Sequence, residues 1–133
     1  MGRVRCVRGS RCYPITRFAV LDGGLVRDTL TSLVWQQQAS TTMTWAAART
    51  YCSSAGSGFR LPTAKELISL VDLTVTSGAT INQAAFPNTP AETFWTSSPN
   101  VGFSGYPWHV QFGYGGYSDG YDVGDASRVR CVR

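Results

Sequence analysis

The chain has 133 residues, which is room for one domain and short for two. Its 43% hydrophobic content excludes a disordered tail. The net charge of +4 is carried by few charged residues, and no run reaches the roughly 18 consecutive apolar residues of a membrane-spanning helix, so membrane insertion is not expected.

The basic charge is almost all arginine, with Lys65 the one lysine. Arg3, Arg5, Arg8 and Arg11 break any secretory pattern after Met1, which fits a mature or excised piece carrying an added initiator Met. The run Arg3-Val-Arg-Cys-Val-Arg8 returns at the other end as Arg128-Val-Arg-Cys-Val-Arg133. Each copy alternates Arg with Val or Cys, the pattern of a half-buried strand with its charges outward. Either the first copy is the last strand of a preceding domain in a tandem array, or both are strands of one domain. If the ends meet, Arg3, Arg5, Arg8, Arg128, Arg130 and Arg133 form a patch for an anionic ligand. Solvated strand edges are the plainer reading of each arginine alone.

Further along, Phe18-Ala-Val-Leu21, Asp22-Gly-Gly24 and Leu25-Val-Arg-Asp28 predict a hairpin, since Asp-Gly between apolar runs marks a tight turn. Leu33-Val-Trp35 is another short apolar run. A first helix is predicted from Thr44 as N-cap through Trp45–Cys52, ending at Gly56. Thr63-Ala-Lys-Glu66 is a capping box opening a second helix, whose Leu67, Leu70 and Val71 make a core-facing stripe. Residues 77–90 predict a long polar loop. Strands are predicted at Phe94–Thr96, Trp108–Phe112 and Ser127–Val132, with a Gly/Tyr/Asp loop or hairpin at 113–125.

Cys6, Cys12, Cys52 and Cys131 are an even set without metal-binding spacing in a small Gly-rich chain. They predict two disulfides and an oxidising compartment, with three pairings open. Zinc is not expected, because His109 is the single histidine.

The ordered set Arg60-Leu-Pro-Thr-Ala-Lys-Glu-Leu67, Phe94-Trp-Thr-Ser-Ser98, Trp108-His-Val-Gln-Phe-Gly113 and Arg128-Val-Arg-Cys-Val-Arg133 resembles the Lcl C-terminal domain family, named from a Legionella collagen-like adhesin. Asp28–Gln36, Thr44-Trp45 and Tyr51-Cys52 are similar to that family's opening, so the resemblance runs over about residues 17–133. It implies an α+β, C-type-lectin-like fold: two helices on small antiparallel sheets, adjacent termini and a disulfide staple. It pairs Cys52 with Cys131 and leaves Cys6 with Cys12. It also favours residues 1–16 as a leader strand or the remnant of a preceding repeat, with the domain at 17–133.

Catalysis is not expected. The formylglycine-generating enzymes, relatives of this fold, need a reactive cysteine pair and copper, and two disulfides would leave no such pair. Strand alternation turns Trp108, Val110 and Phe112 one way and His109 with Gln111 outward, where a histidine is a contact residue more readily than a base. Asp119, Asp122 and Asp125 offer hard oxygen ligands for calcium, but the triplets of calcium-dependent lectins are absent and a solvated turn is the default. No cofactor is therefore expected.

The predicted ligand face is Tyr106, His109, Gln111, Tyr114, Tyr117, Asp119 and Tyr121, because Tyr stacks on sugar or protein at little entropic cost. Trp35, Trp45, Trp95 and Trp108 are assigned mostly to the core. The expected function is a non-enzymatic module at the cell surface, secreted or periplasmic, that binds glycans, sulfated or anionic ones as the resemblance implies. The alternative is a protein-binding or structural module of a trimeric fibre tip or tandem array, including a diversified ligand binder, since residues 100–125 are similar in composition to the variable loops of such lectin-like proteins. A glycan or cell-surface protein is the expected partner; nucleic acid is not.

Overall fold

The computed structural model describes residues 3–6, 12–15, 17–102, 105–118 and 123–133, and of 3–6 and 12–15 the backbone. Strands β1 (Arg3–Cys6) and β2 (Cys12–Ile15) pair antiparallel in a sheet of their own, with Cys6 opposite Cys12. The side chains there lie outside the described residues, and with them the expected Cys6–Cys12 bond and the Arg3, Arg5 and Arg8 part of the basic patch.

The predicted hairpin forms. Gly23 and Gly24 take φ of 81° and 74°, open to glycine at no steric cost, and fold β3 (Phe18–Leu21) back onto β4 (Leu25–Asp28). Strand β5 (Val34–Gln36) pairs antiparallel with β4 and completes a three-stranded sheet. Asp28 is buried at the end of β4, where Arg17 grips it with two hydrogen bonds of 2.8 and 2.6 Å.

Helix α1 (Trp45–Ser53) starts on the Thr44 cap, whose hydroxyl accepts from Ala47 N. Helix α2 (Ala64–Ile68) starts on the predicted capping box: Thr63 Oγ1 accepts from Glu66 N at 3.2 Å, and Glu66 Oε1 accepts from Thr63 N at 2.9 Å. It is shorter than its apolar stripe implies. Ser69 donates back to Glu66 O, and Val71 bridges to Ile81, so the chain leaves the helix while Leu67 and Leu70 remain buried.

Strands β6 (Thr93–Trp95), β7 (His109–Gln111) and β8 (Gly116–Ser118) form a second antiparallel sheet with β7 in the centre. The two faces of this sheet meet two hydrophobic clusters. Register partners Phe94 and Val110 join Trp35, Leu67, Ile81, Phe86 and Phe112 on one side. Trp95 joins Ala48, Cys52, Phe59, Leu61, Val129 and Cys131 on the other.

The last segment was expected to be a strand. It is instead a lace of single bridges: Ser127 to Met43, Arg128 to Phe94, and Val132 to both Trp35 and Arg60. Val34 and Arg133 exchange backbone hydrogen bonds of 2.8 and 2.9 Å, so the end of the chain is held in the sheet that β3 begins. The disulfide Cys52–Cys131 then ties α1 to this segment across 79 positions of sequence. The described residues from 17 on form a small α+β unit of two helices and two three-stranded antiparallel sheets, closed by the buried disulfide between α1 and the final segment.

Candidate functional site

The exposed face of α1 is built from residues four apart. Trp45, Arg49 and Ser53 fall on one stripe because i and i+4 positions stack along a helix. The Arg49 guanidinium carbon lies 5.0 Å from the Trp45 ring centroid, and among the described residues no carboxylate pairs with it. Trp45 is fixed from beneath, its indole Nε1 donating to Thr96 O at 2.9 Å. A planar aromatic and a planar cation thus form a ridge anchored at one end.

A cleft opens on each side of this ridge. The first, about 340 Å³, is walled by Trp45, Pro99, Val101, Tyr106, Pro107 and Val123. The second, about 460 Å³, lies between Arg49 and Ser53 on α1 and Phe59, Arg60, Thr63 and Ser97 opposite. Glu66 engages Arg60 bidentately at 2.7 and 2.8 Å and holds it more firmly protonated than usual. Arg60 in turn holds the Glu66 carboxyl below its ordinary range, against the opposing effect of burial. Arg133 stacks 4.8 Å over the Phe59 ring. The ridge therefore combines an apolar, aromatic cleft with a cationic one.

The predicted tyrosine face is divided by the strand that carries it. Tyr106 precedes β7 and lines the Trp45 cleft, whereas Tyr114 follows β7 at its other end. Tyr114, Tyr117 and Tyr106 are 61%, 48% and 38% exposed. Tyr114 donates its hydroxyl to Tyr117 O at 3.3 Å, and Tyr117 packs edge-on to Trp108 with centroids 6.0 Å apart. Gln111 is half-buried and spends its side-chain oxygen on Gly113 N at 2.7 Å. Asp119, Tyr121 and Asp122 lie outside the described residues; Asp125 is exposed. Among the described residues no cluster of acids, cysteines or histidine is gathered for a metal.

Three expectations need correction. His109 does not face solvent: it is fully buried, with its ring 4.2 Å from that of Trp95, its register partner on β6. Alternation failed as a guide because both faces of the central strand are covered. Arg130 is not a patch residue either. It is fully buried, donates to Gln36 O, Gln37 O and Thr89 Oγ1, and lies over Phe86 and Phe94 at 4.7 and 5.8 Å. Arg128 is half-buried and paired with Glu92, leaving Arg133 as the exposed member of the C-terminal trio. Finally, Trp35 and Trp95 are core residues, but Trp45 and Trp108 are only half-buried.

The ridge itself was missed by sequence reasoning. The signal was present as Trp45 and Arg49 at helical spacing, but their partners Tyr106 and Phe59 come from distant loops. The family model of the Lcl C-terminal domain matches residues 24–133, a stretch that holds α1, α2, the second sheet and the disulfide. No curated protein and no solved structure matches the chain. The chain belongs to the Lcl C-terminal domain family.

Proposed function

We propose that the chain is a non-enzymatic, C-type-lectin-like module of the cell exterior that holds anionic surface glycans on the Trp45–Arg49 ridge. The observation that carries this reading is the Arg49 guanidinium stacked on Trp45 between two clefts, with no carboxylate paired to it among the described residues. A sugar ring presents an apolar C–H face to Trp45 or Tyr106, while its sulfate or carboxylate accepts from Arg49 in a fork geometry. Tyr114 and Tyr117 supply a second, more remote contact surface.

Several features support the rest of the reading. A disulfide joining the first helix to the last segment, with small antiparallel sheets around it, suits a C-type-lectin-like fold and an oxidising compartment outside the cytoplasm. The family's namesake is an adhesin. Burial keeps His109, the sole imidazole, away from any substrate. Binding to an array of sulfated and neutral glycans tests the proposal. Sulfated ligands are expected to bind and to weaken with salt, as exposed charges are screened. Silence across both classes refutes it. The duplicated hexapeptide favours a second role, as one bead of an array.

A further inference from the structure

Each of the two three-stranded sheets has two outer strands, and three of these four edges are covered. Beside β5, Val34 N donates to Arg133 O at 2.8 Å and Gln36 N to Cys131 O at 3.1 Å. Beside β6, Trp95 N donates to Arg128 O and Arg128 N to Thr93 O, each at 3.0 Å. On β8 the Tyr117 carbonyl turns away from β7 and accepts from the Tyr114 hydroxyl. Such cover is how proteins keep a sheet edge from recruiting another strand. Strand β3 is the fourth edge, and among the described strands it pairs with β4 alone.

The register identifies the bare groups. Thr29 N donates to Arg17 O at 2.8 Å, and opposed residues of antiparallel strands alternate between hydrogen-bonded and non-hydrogen-bonded pairs. With Phe18 opposite Asp28 and Val20 opposite Val26, residues 17, 19 and 21 turn their backbone groups to β4. Phe18 and Val20 turn theirs outward. The run Phe18-Ala-Val-Leu21 holds neither a charge nor a proline to repel a partner. Val20 is 57% exposed, although Phe18 and Val26, on the same face of the sheet, pack in the first cluster. The core face of this sheet is therefore left unfinished at β3.

We infer that β3 is the docking edge for a second copy of this chain, joined about a two-fold axis so that the two first sheets run on as one. The occupant follows from the self-complementarity of the edge. An antiparallel partner sets outward-facing residues opposite one another. With Ala19 on the axis, Phe18 faces the other copy's Val20, and Val20 faces its Phe18. Each of these pairs exchanges both of its hydrogen bonds and lays an exposed valine against an aromatic ring, a stabilising cross-strand combination. Ala19 meets its own counterpart at a non-hydrogen-bonded position, where side chains come closest and a small one fits. The stretch opens on Arg17 and closes on Asp22, so antiparallel copies bring unlike charges together at both ends. An interface of this symmetry uses one patch on both partners and stops at two. The inference stands apart from the identity of the ligand.

The test is sedimentation equilibrium of the full chain from about 10 μM to about 1 mM, with variants at the edge. The parent's mass is expected to rise with concentration toward twice that of one chain and no further. Val20→Pro removes only an outward N–H, which an edge strand tolerates, and Val20→Lys sets a charge at the same point. Both are expected to stay monomeric, with urea midpoints at low concentration close to the parent's. Under mild oxidation, Ala19→Cys is expected to give a covalent dimer that peptide mapping traces to the two introduced thiols. Leu21→Cys should give none, because this register sets it about 13 Å from its counterpart, beyond the reach of a disulfide. A parent that keeps the mass of one chain at the highest concentration overturns the inference, and so does a trimer. Dimerisation undiminished in Val20→Lys, or Leu21→Cys cross-linking as readily as Ala19→Cys, overturns it as well.

Discussion

Arg130 lies with its guanidinium 4.7 Å over the ring of Phe86, a fully buried cation to which no carboxylate is paired among the described residues. Its charge is met by the carbonyls of Gln36 and Gln37, the hydroxyl of Thr89 and two aromatic faces. Burial pushes its ionisation down to about 9, which still leaves it cationic at neutral pH. One side chain thereby ties the stretch after β5, the loop at 86–89 and the final segment to one another.

Arg130→Met removes the donor and strands three half-buried acceptors, at about 1 kcal/mol for each one left without a partner. A loss of about 3 kcal/mol is expected in urea unfolding. Arg130→Lys should recover little of it, because an ammonium on a flexible stem lacks the planar fork that reaches both carbonyls and the hydroxyl. Full rescue by Lys would show that charge alone matters.

The Cys52–Cys131 bond closes a long loop, since the two residues are 79 positions apart. Chain entropy sets its contribution at about 4 kcal/mol. Cys52→Ala with Cys131→Ala should lower the urea midpoint accordingly. Both residues are fully buried, so a reductant should act on the native protein only at the rate of its unfolding. Rapid reduction of the folded protein, followed by thiol labelling, would count against that burial.

How legible this was in the sequence depended on how local each cause is. The Asp22–Gly24 turn and the Thr63–Glu66 capping box are settled by atoms a few residues apart, and both could be read directly. His109 and Arg130 were misplaced because alternation reports only that neighbours face opposite ways. Whether a face is wet depends on what covers it, and here Trp95 and Phe86 arrive from other parts of the chain. The early end of α2 had the same origin, in the distant bridge from Val71 to Ile81. The Trp45–Arg49 ridge needed α1, but its clefts needed the loops as well.

His109 illustrates how a misread residue becomes a test. His109→Ala leaves a cavity against Trp95 and should cost about 2–4 kcal/mol in stability. A ligand contact on the surface would instead leave unfolding unchanged and weaken binding alone. Unfolding and glycan binding measured on the same variant separate the two.

Acid should loosen the first sheet. Burial pushes the Asp28 carboxyl up, but the two hydrogen bonds from Arg17, with those from Leu30 N and Thr31, outweigh it and hold it below its ordinary 3.8. Glu66, ordinarily at 4.5, is held down mainly by Arg60. The unfolded chain therefore takes up these protons first as pH falls. The stabilisation is complete above those ordinary values and is lost as pH drops through the lower folded ones. Asp28→Asn should cost about 2 kcal/mol at neutral pH and flatten this acid limb of a stability profile. An acid limb as steep as that of the parent would point to other carboxylates.

The most direct test of the ridge is calorimetric titration of a sulfated oligosaccharide into the parent protein, Arg49→Ala and Arg49→Lys, at low and high salt. Among the described residues Arg49 makes no hydrogen bond or ion pair and only stacks on Trp45, so all three should unfold at nearly the same urea concentration. Loss of a charge-assisted bond of about 1.5–3 kcal/mol predicts binding at least tenfold weaker in Arg49→Ala. Arg49→Lys should recover part of it, and the salt dependence should be shallower in Arg49→Ala. Equal affinity and equal salt dependence in the parent and Arg49→Ala would contradict the assignment of this ridge as the anion-binding site.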